Sequence, residues 1–296
     1  MKSQYMMRIL LFGALVAAFL FQGCADMTNA SKEELTEDEV LVLEGVLGSA
    51  LSEEDEGLLA GMKDMTGRFG ADGMNHRYQG HNGFGPPKFG DFDRVYDPET
   101  GIHTISYTRE GNRPNASISL SVLMEYQFTD PQGGYLEFPY ADSTLIQTIQ
   151  FSGTRNGEMT KPYRSSMFNR SSAWVLDDIQ SADGVMTLEG SQSDEGTMTL
   201  SKPNGNEFSR SHVTQLDLVD VTLSKATEDE DRLPYLVSGV IEYQTTVTKV
   251  VNGEETVNEY SGTIELAENG EALVRFFGLK RTLRLNLSDG MRVDAN

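Results

Sequence analysis

The stretch that decides the fold is Ser117-Ile118-Ser119-Leu120-Ser121-Val122-Leu123-Met124-Glu125-Tyr126-Gln127-Phe128. Ile118, Leu120, Val122, Met124, Tyr126 and Phe128 take every even position; Ser117, Ser119, Ser121, Glu125 and Gln127 fall between them, with Leu123 the one apolar intruder. Side chains of a strand point alternately to opposite faces, so this pattern predicts one long strand with a buried face and a wet face. Twelve residues at ~3.3 Å each span roughly 40 Å, well beyond the usual strand of about 5 to 6 residues. Its neighbours must therefore be long as well.

Working outward, turn signals separate further alternating segments. Asp97-Pro98-Glu99-Thr100-Gly101 joins a strand near 92–97 to one near 102–109, with Pro presetting φ and Gly supplying a positive φ. Asp130-Pro131-Gln132-Gly133-Gly134 turns the chain after the long strand, and Leu145, Ile149 and Phe151 begin another that reads as closing at Asn156-Gly157. The stretch 158–179 is less regular around Trp174-Val175-Leu176, and Thr187–Glu189 with Thr197–Ser201 reads as a hairpin. A phase change at Leu218-Val219 within 207–224 suggests a bulge. Ile241 to Val247, Tyr260 to Leu266, Ala272 to Phe276 and Leu283 to Leu287 then alternate between Asn252-Gly253, Asn269-Gly270 and Asp289-Gly290. Asn-Gly and Asp-Gly between alternating runs are strong hairpin signals, so connectivity is antiparallel. The expectation is an all-β protein: a large antiparallel meander over 91–296, forming a β-sandwich or a strongly curved partial barrel. Echoes such as Met124-Glu125-Tyr126-Gln127 with Ile241-Glu242-Tyr243-Gln244 raise the option of two related halves, about 91–180 and 183–296.

The meander is preceded by a different composition. A capping-box pattern, Thr36 with Glu39, precedes Val40, Leu43, Leu47 and Leu51 at helical spacing, and a second, Ser52 with Asp55, precedes Leu58, Leu59, Met62 and Met65. These predict a helical hairpin over 36–66 that covers one edge or face of the sheet, or serves as a lid or a partner-binding hairpin. Residues 67–90, with seven glycines and Pro86-Pro87, read as a linker.

At the start of the chain, Lys2 and Arg8 precede an apolar run of 13 residues, Ile9 to Phe21, followed by Gln22-Gly23-Cys24. That run is shorter than the ~20 residues needed to span a bilayer and suits a secretory signal, residues 1–23. Leu20-Phe21-Gln22-Gly23-Cys24 resembles the lipobox of bacterial lipoproteins, with Phe21 where the family more often has Leu. The resemblance implies cleavage before Cys24 and acylation of that cysteine, hence a membrane partner through the lipid anchor and residence in the cell envelope. Ala25 rather than Asp after the cysteine implies the outer membrane under the enterobacterial sorting rule. Cys24 is the single cysteine, so no intramolecular disulfide can form. Residues 24–35 read as an acidic tether.

Composition and motifs narrow the function by exclusion. A formal net charge of −21 opposes a phosphate backbone, which removes nucleic acid as a partner. No Gly-x-Ser-x-Gly elbow, Ser-x-x-Lys or phosphate-cradling glycine fingerprint occurs, so no catalytic residue is singled out and no cofactor is expected. His76 and His81 with Asp72 lack a third ligand, and Asp91, Asp93, Asp97 and Glu99 lack an EF-hand pattern, so no metal site is assigned. Trp174 reads as core or as a stacking platform for a sugar; His103 and His212 read as packed strand residues. Lys161, Arg164 and Arg170 have no acid between them in an acidic chain and could meet an anionic glycan or a partner protein, or form a basic solvent face. The expected function is a lipid-anchored binding or structural module of the envelope whose partner is an envelope protein or a glycan. The alternatives are a carrier of an apolar ligand within a curved sheet, similar in architecture to the periplasmic lipoprotein-sorting carriers, and an envelope hydrolase.

Overall fold

The computed structural model describes residues 34–66, 88–113, 116–139, 141, 143–201, 207–225, 235–251 and 254–293. The expected signal segment, Cys24, most of the expected tether, and Asp72, His76 and His81 lie outside the described residues. Two helices, α1 (Glu37–Leu51) and α2 (Leu58–Thr66), precede eleven strands: β1 (Lys88–Asp97), β2 (Ile102–Arg113), β3 (Ala116–Thr129), β4 (Thr148–Lys161), β5 (Arg164–Asp177), β6 (Val185–Ser201), β7 (Glu207–Lys225), β8 (Tyr235–Val251), β9 (Glu254–Ala267), β10 (Glu271–Phe276) and β11 (Thr282–Asn286). They form a single open antiparallel sheet in sequence order, β1 to β11. Of the two architectures left open by the sequence, this is the curved single sheet. β5 and β6 pair from Arg164↔Leu200 to Asp177↔Thr187, so residues 91–180 and 183–296 share one sheet without a break.

The long strand is β3. Ile118, Leu120, Val122, Met124, Tyr126 and Phe128 are buried, whereas Ser119, Ser121, Leu123 and Glu125 are exposed. Two local readings are corrected. Asn156-Gly157 does not end a strand but lies inside β4, where Gly157 pairs with Leu120 on one side and Phe168 on the other. Thr187–Glu189 and Thr197–Ser201 are not two arms of a hairpin but the two ends of one 17-residue strand, β6. Gly157, read as punctuation, lies where its missing side chain makes room for Ser119 and Phe168. β6 carries a register shift between Leu188 and Gly190, and β7 carries the anticipated one between Leu218 and Asp220. Gly190 (φ 131°) and Gly239 (φ 128°), at or opposite these bulges, adopt backbone that side chains disfavour.

The sheet curls around the helices. On a flat sheet β2 and β11, nine intervals apart in strand order, would lie roughly 43 Å from each other at about 4.8 Å per interval. Yet Glu53 N donates to Leu287 O (3.0 Å) just beyond β11, and three residues later Glu56 pairs with Arg109 of β2 (2.8 Å). Glu54 N donates to Ser288 O (2.9 Å), while its carboxylate meets Lys161 (3.3 Å) beside the β4–β5 turn. That turn lies at the opposite end of the strands from the β9–β10 turn, where Leu287 N binds Gly270 O (2.9 Å). One end of the sheet at β11 thus meets the other end at β4 and β5, the stagger that strands acquire when a sheet winds toward a barrel.

The helices fill the space enclosed by the winding. α1 starts at the predicted capping box, with Glu39 N on Thr36 Oγ1 (3.3 Å) and Thr36 N on Glu39 Oε2 (2.8 Å). From Val42 to Met62 nearly every residue is buried, so the helices are surrounded rather than laid across an edge. Gly45, Gly48 and Gly61 let the backbone approach Met198, Gly290 and Trp174, each closer than a side chain would allow. The second predicted capping box does not form. Ser52 instead caps the end of α1, its N–H on Gly48 O (2.9 Å), and Asp55 is drawn to the sheet.

Candidate functional site

Two regions carry the polar chemistry, one on each face. On the inner face a cross-strand row runs Val122, Arg155, Arg170, Asp194, Thr214, Thr245 in direct register from β3 to β8. All six positions face inward, where a simple core would be apolar; here five of them carry Arg155, Arg170, Asp194 and a Thr214–Thr245 hydroxyl pair (2.7 Å). The α1–α2 loop supplies the countercharge. Asp55 pairs with Lys161 (2.7 Å) and Arg164, Glu56 with Arg109, and Asp64 of α2 with Arg155 (2.8 Å). Arg170 donates to Asp55 O and to Ser49 Oγ (2.8 Å) and lies 3.1 Å from Asp194. Glu56 holds a left-handed backbone (φ 60°), a conformation tolerated where surrounding contacts fix it.

The electrostatics follow from burial and pairing. Burial acts to raise the Asp194 carboxyl, but Arg170 and His212 outweigh it and hold the group below the usual carboxylate range. Burial likewise works against the Arg155 cation, and Asp64, Tyr107 and Glu56 more than restore it, so Arg155 stays charged. Removing one member of such a buried pair strands its partner, which costs about 3–5 kcal/mol.

Several residues singled out in the sequence are among those described. Lys161, Arg164 and Arg170 do not form a basic solvent face; within the chain they pair with Glu54, Asp55 and Asp194. Trp174 is core, 2% exposed and stacked on Phe151 at 5.0 Å. His103 is packed: its Nε2 lies 2.9 Å from Leu136 O and its ring meets Tyr96 and Phe128, and burial keeps it below its ordinary pKa. His212 is buried, with its Nε2 3.8 Å from Asp194. Asp97 accepts from Glu99 N (2.9 Å) and Thr100 Oγ1 (2.8 Å), which makes it a turn residue. Among the described residues no group of three or more His, Cys, Asp or Glu could hold a metal ion. The loop acids Asp55 and Glu56 were not legible as partners, but one signal was available: Arg170 and Asp194 fall in phase with the buried positions of β5 and β6.

The second region is a trough of about 970 Å³ crossing β2 to β8. Its walls are exposed residues of the outer face, among them Ser119, Ser121, Asn156, Asn169, Thr197 and Ser211. Glycines lie beneath it. Gly157, Phe168 and Gly196 are cross-strand neighbours, and a Cβ would stand 2.7 Å from Ser119 O at Gly157 and 2.2 Å from Met167 O at Gly196, so these positions of β4 and β6 have no room for a side chain. No protein-family model matches the chain, and no match was found among curated proteins or solved structures. The functional argument therefore rests on these two regions.

Proposed function

We propose that this chain is a lipid-anchored envelope protein, held through Cys24, that acts as a binding module through its outer face. The observation that supports this reading is the filled interior. Leu43, Leu47, Leu51, Leu58, Met62 and Met65, all at most 1% exposed, occupy the concave side, while a trough remains on the convex one. A carrier of an apolar ligand would need that inner side vacated, breaking the pairs made by Asp55, Glu56 and Asp64. The lipobox resemblance supports the anchor, and β strands that display polar side chains outward suit a body presented to the envelope.

Two measurements test the reading. Cys24→Ser is expected to abolish labelling by radioactive palmitate and to leave the leader uncleaved; labelling that survives ends the anchor assignment. A photo-crosslinking amino acid at Met167, inside the trough, is expected to capture a specific envelope component in intact cells, while the same group at Thr282 on β11 captures none. Equal capture at both places, or none at either, removes the trough as a binding site.

A further inference from the structure

We infer that the occupant of the trough is an uncharged polysaccharide strand lying across β2 to β8. This deepens the binding-module reading and rests on it. The trough spans six strand intervals, roughly 29 Å at about 4.8 Å each, which suits an extended polymer rather than a small metabolite. Each strand crossed contributes a hydroxyl or amide, so polar groups recur at the strand spacing, close to the repeat of a pyranose chain. Serine and threonine hydroxyls both donate and accept and can turn to suit the sugar hydroxyls they meet.

Charge removes the acidic polymers. Glu110, Glu158 and Glu195 line the trough, and the one cation among the described lining residues, Arg109, is turned inward to Glu56 at 2.8 Å. Phosphate- or uronate-bearing chains would meet carboxylates with no countercharge. Backbone pairing removes an extended peptide that docks by adding a strand, because such docking needs an open sheet edge and β3 to β7 are paired on both sides. Met167 and Val213, 56% and 51% exposed, add apolar surface within the trough for the C–H face of a sugar ring.

The test uses the full-length protein in detergent, run through native gels containing dextran, a soluble β-1,3-glucan, a soluble β-1,4-glucan or alginate. Retardation by at least one neutral polymer and none by alginate is expected. The variant Met167→Glu/Asn169→Asp, which adds charge on the outer face only, is expected to weaken that retardation at least tenfold with an unchanged thermal midpoint. Retardation by alginate alone, by no polymer, or undiminished in the variant overturns the glycan assignment. The crosslinker at Met167 separates the two levels of the claim. Capture of a glycan supports both; capture of a single protein overturns the glycan and leaves the binding module standing; no capture overturns both.

Discussion

Leu120 and Ser121 are neighbours in the chain and belong to different environments: one lies 3% exposed against the helices, the other faces solvent above the trough. The two faces of this sheet differ less in polarity than the alternation suggests. The outer face is polar by hydroxyls, amides and exposed carboxylates, each able to turn to water. The inner face is polar along one row of full charges, each fixed by a named partner. A hydroxyl ladder tolerates substitution because water replaces what is lost; a buried ionic row does not.

That contrast can be broken in order of size. Trp174→Ala should cost about 3–5 kcal/mol in chemical denaturation, because the ring fills the space between Phe151 and α2; a cost near zero would mean the hairpin is not packed there. Asp55→Ala should cost somewhat less, about 2–4 kcal/mol, since Lys161 and Arg164 keep some access to water. Adding Arg164→Met should recover part of that loss, and simple additivity of the two costs would show that the pair is not coupled. Acid should destabilise the fold in two windows. His103, depressed by burial, contributes stability above its ordinary value of 6.5 that is lost as pH falls; Asp194, held below 3.8, contributes stability above that value that is lost at lower pH. Denaturation midpoints should therefore decline from pH 7 downward, and Asp194→Asn should flatten the lower part of the curve. A midpoint that rises on acidification contradicts both assignments. Ser121→Ala, on the outer face, should stay within about 0.5 kcal/mol of the parent.

The alternation along β3, β8, β9 and β10 is legible because period two is imposed by backbone geometry alone, whatever lies across the sheet. The bulge at Leu218 was legible for the same reason, as a break in that period. What the sequence hides is tertiary in origin. Asn156-Gly157 has the same letters as a hairpin turn, and only the adjoining strands, through Ser119 O and Phe168, explain a glycine in mid-strand. Asp55 reads as a helix cap because its partners lie more than a hundred residues away, at Lys161 and Arg164. The trough was not legible at all, since its lining residues come from seven strands and share no motif.

The α1–α2 loop grips Leu287 and Ser288 with its main chain and Arg109, Lys161 and Arg164 with its acids. The earliest helices thus acquire their last contacts from the final turn of the chain. Such long-range closure makes for slow folding. During synthesis, the α1–α2 loop must wait unfastened until Leu287 and Ser288 have emerged, and losing those two residues would loosen the helices.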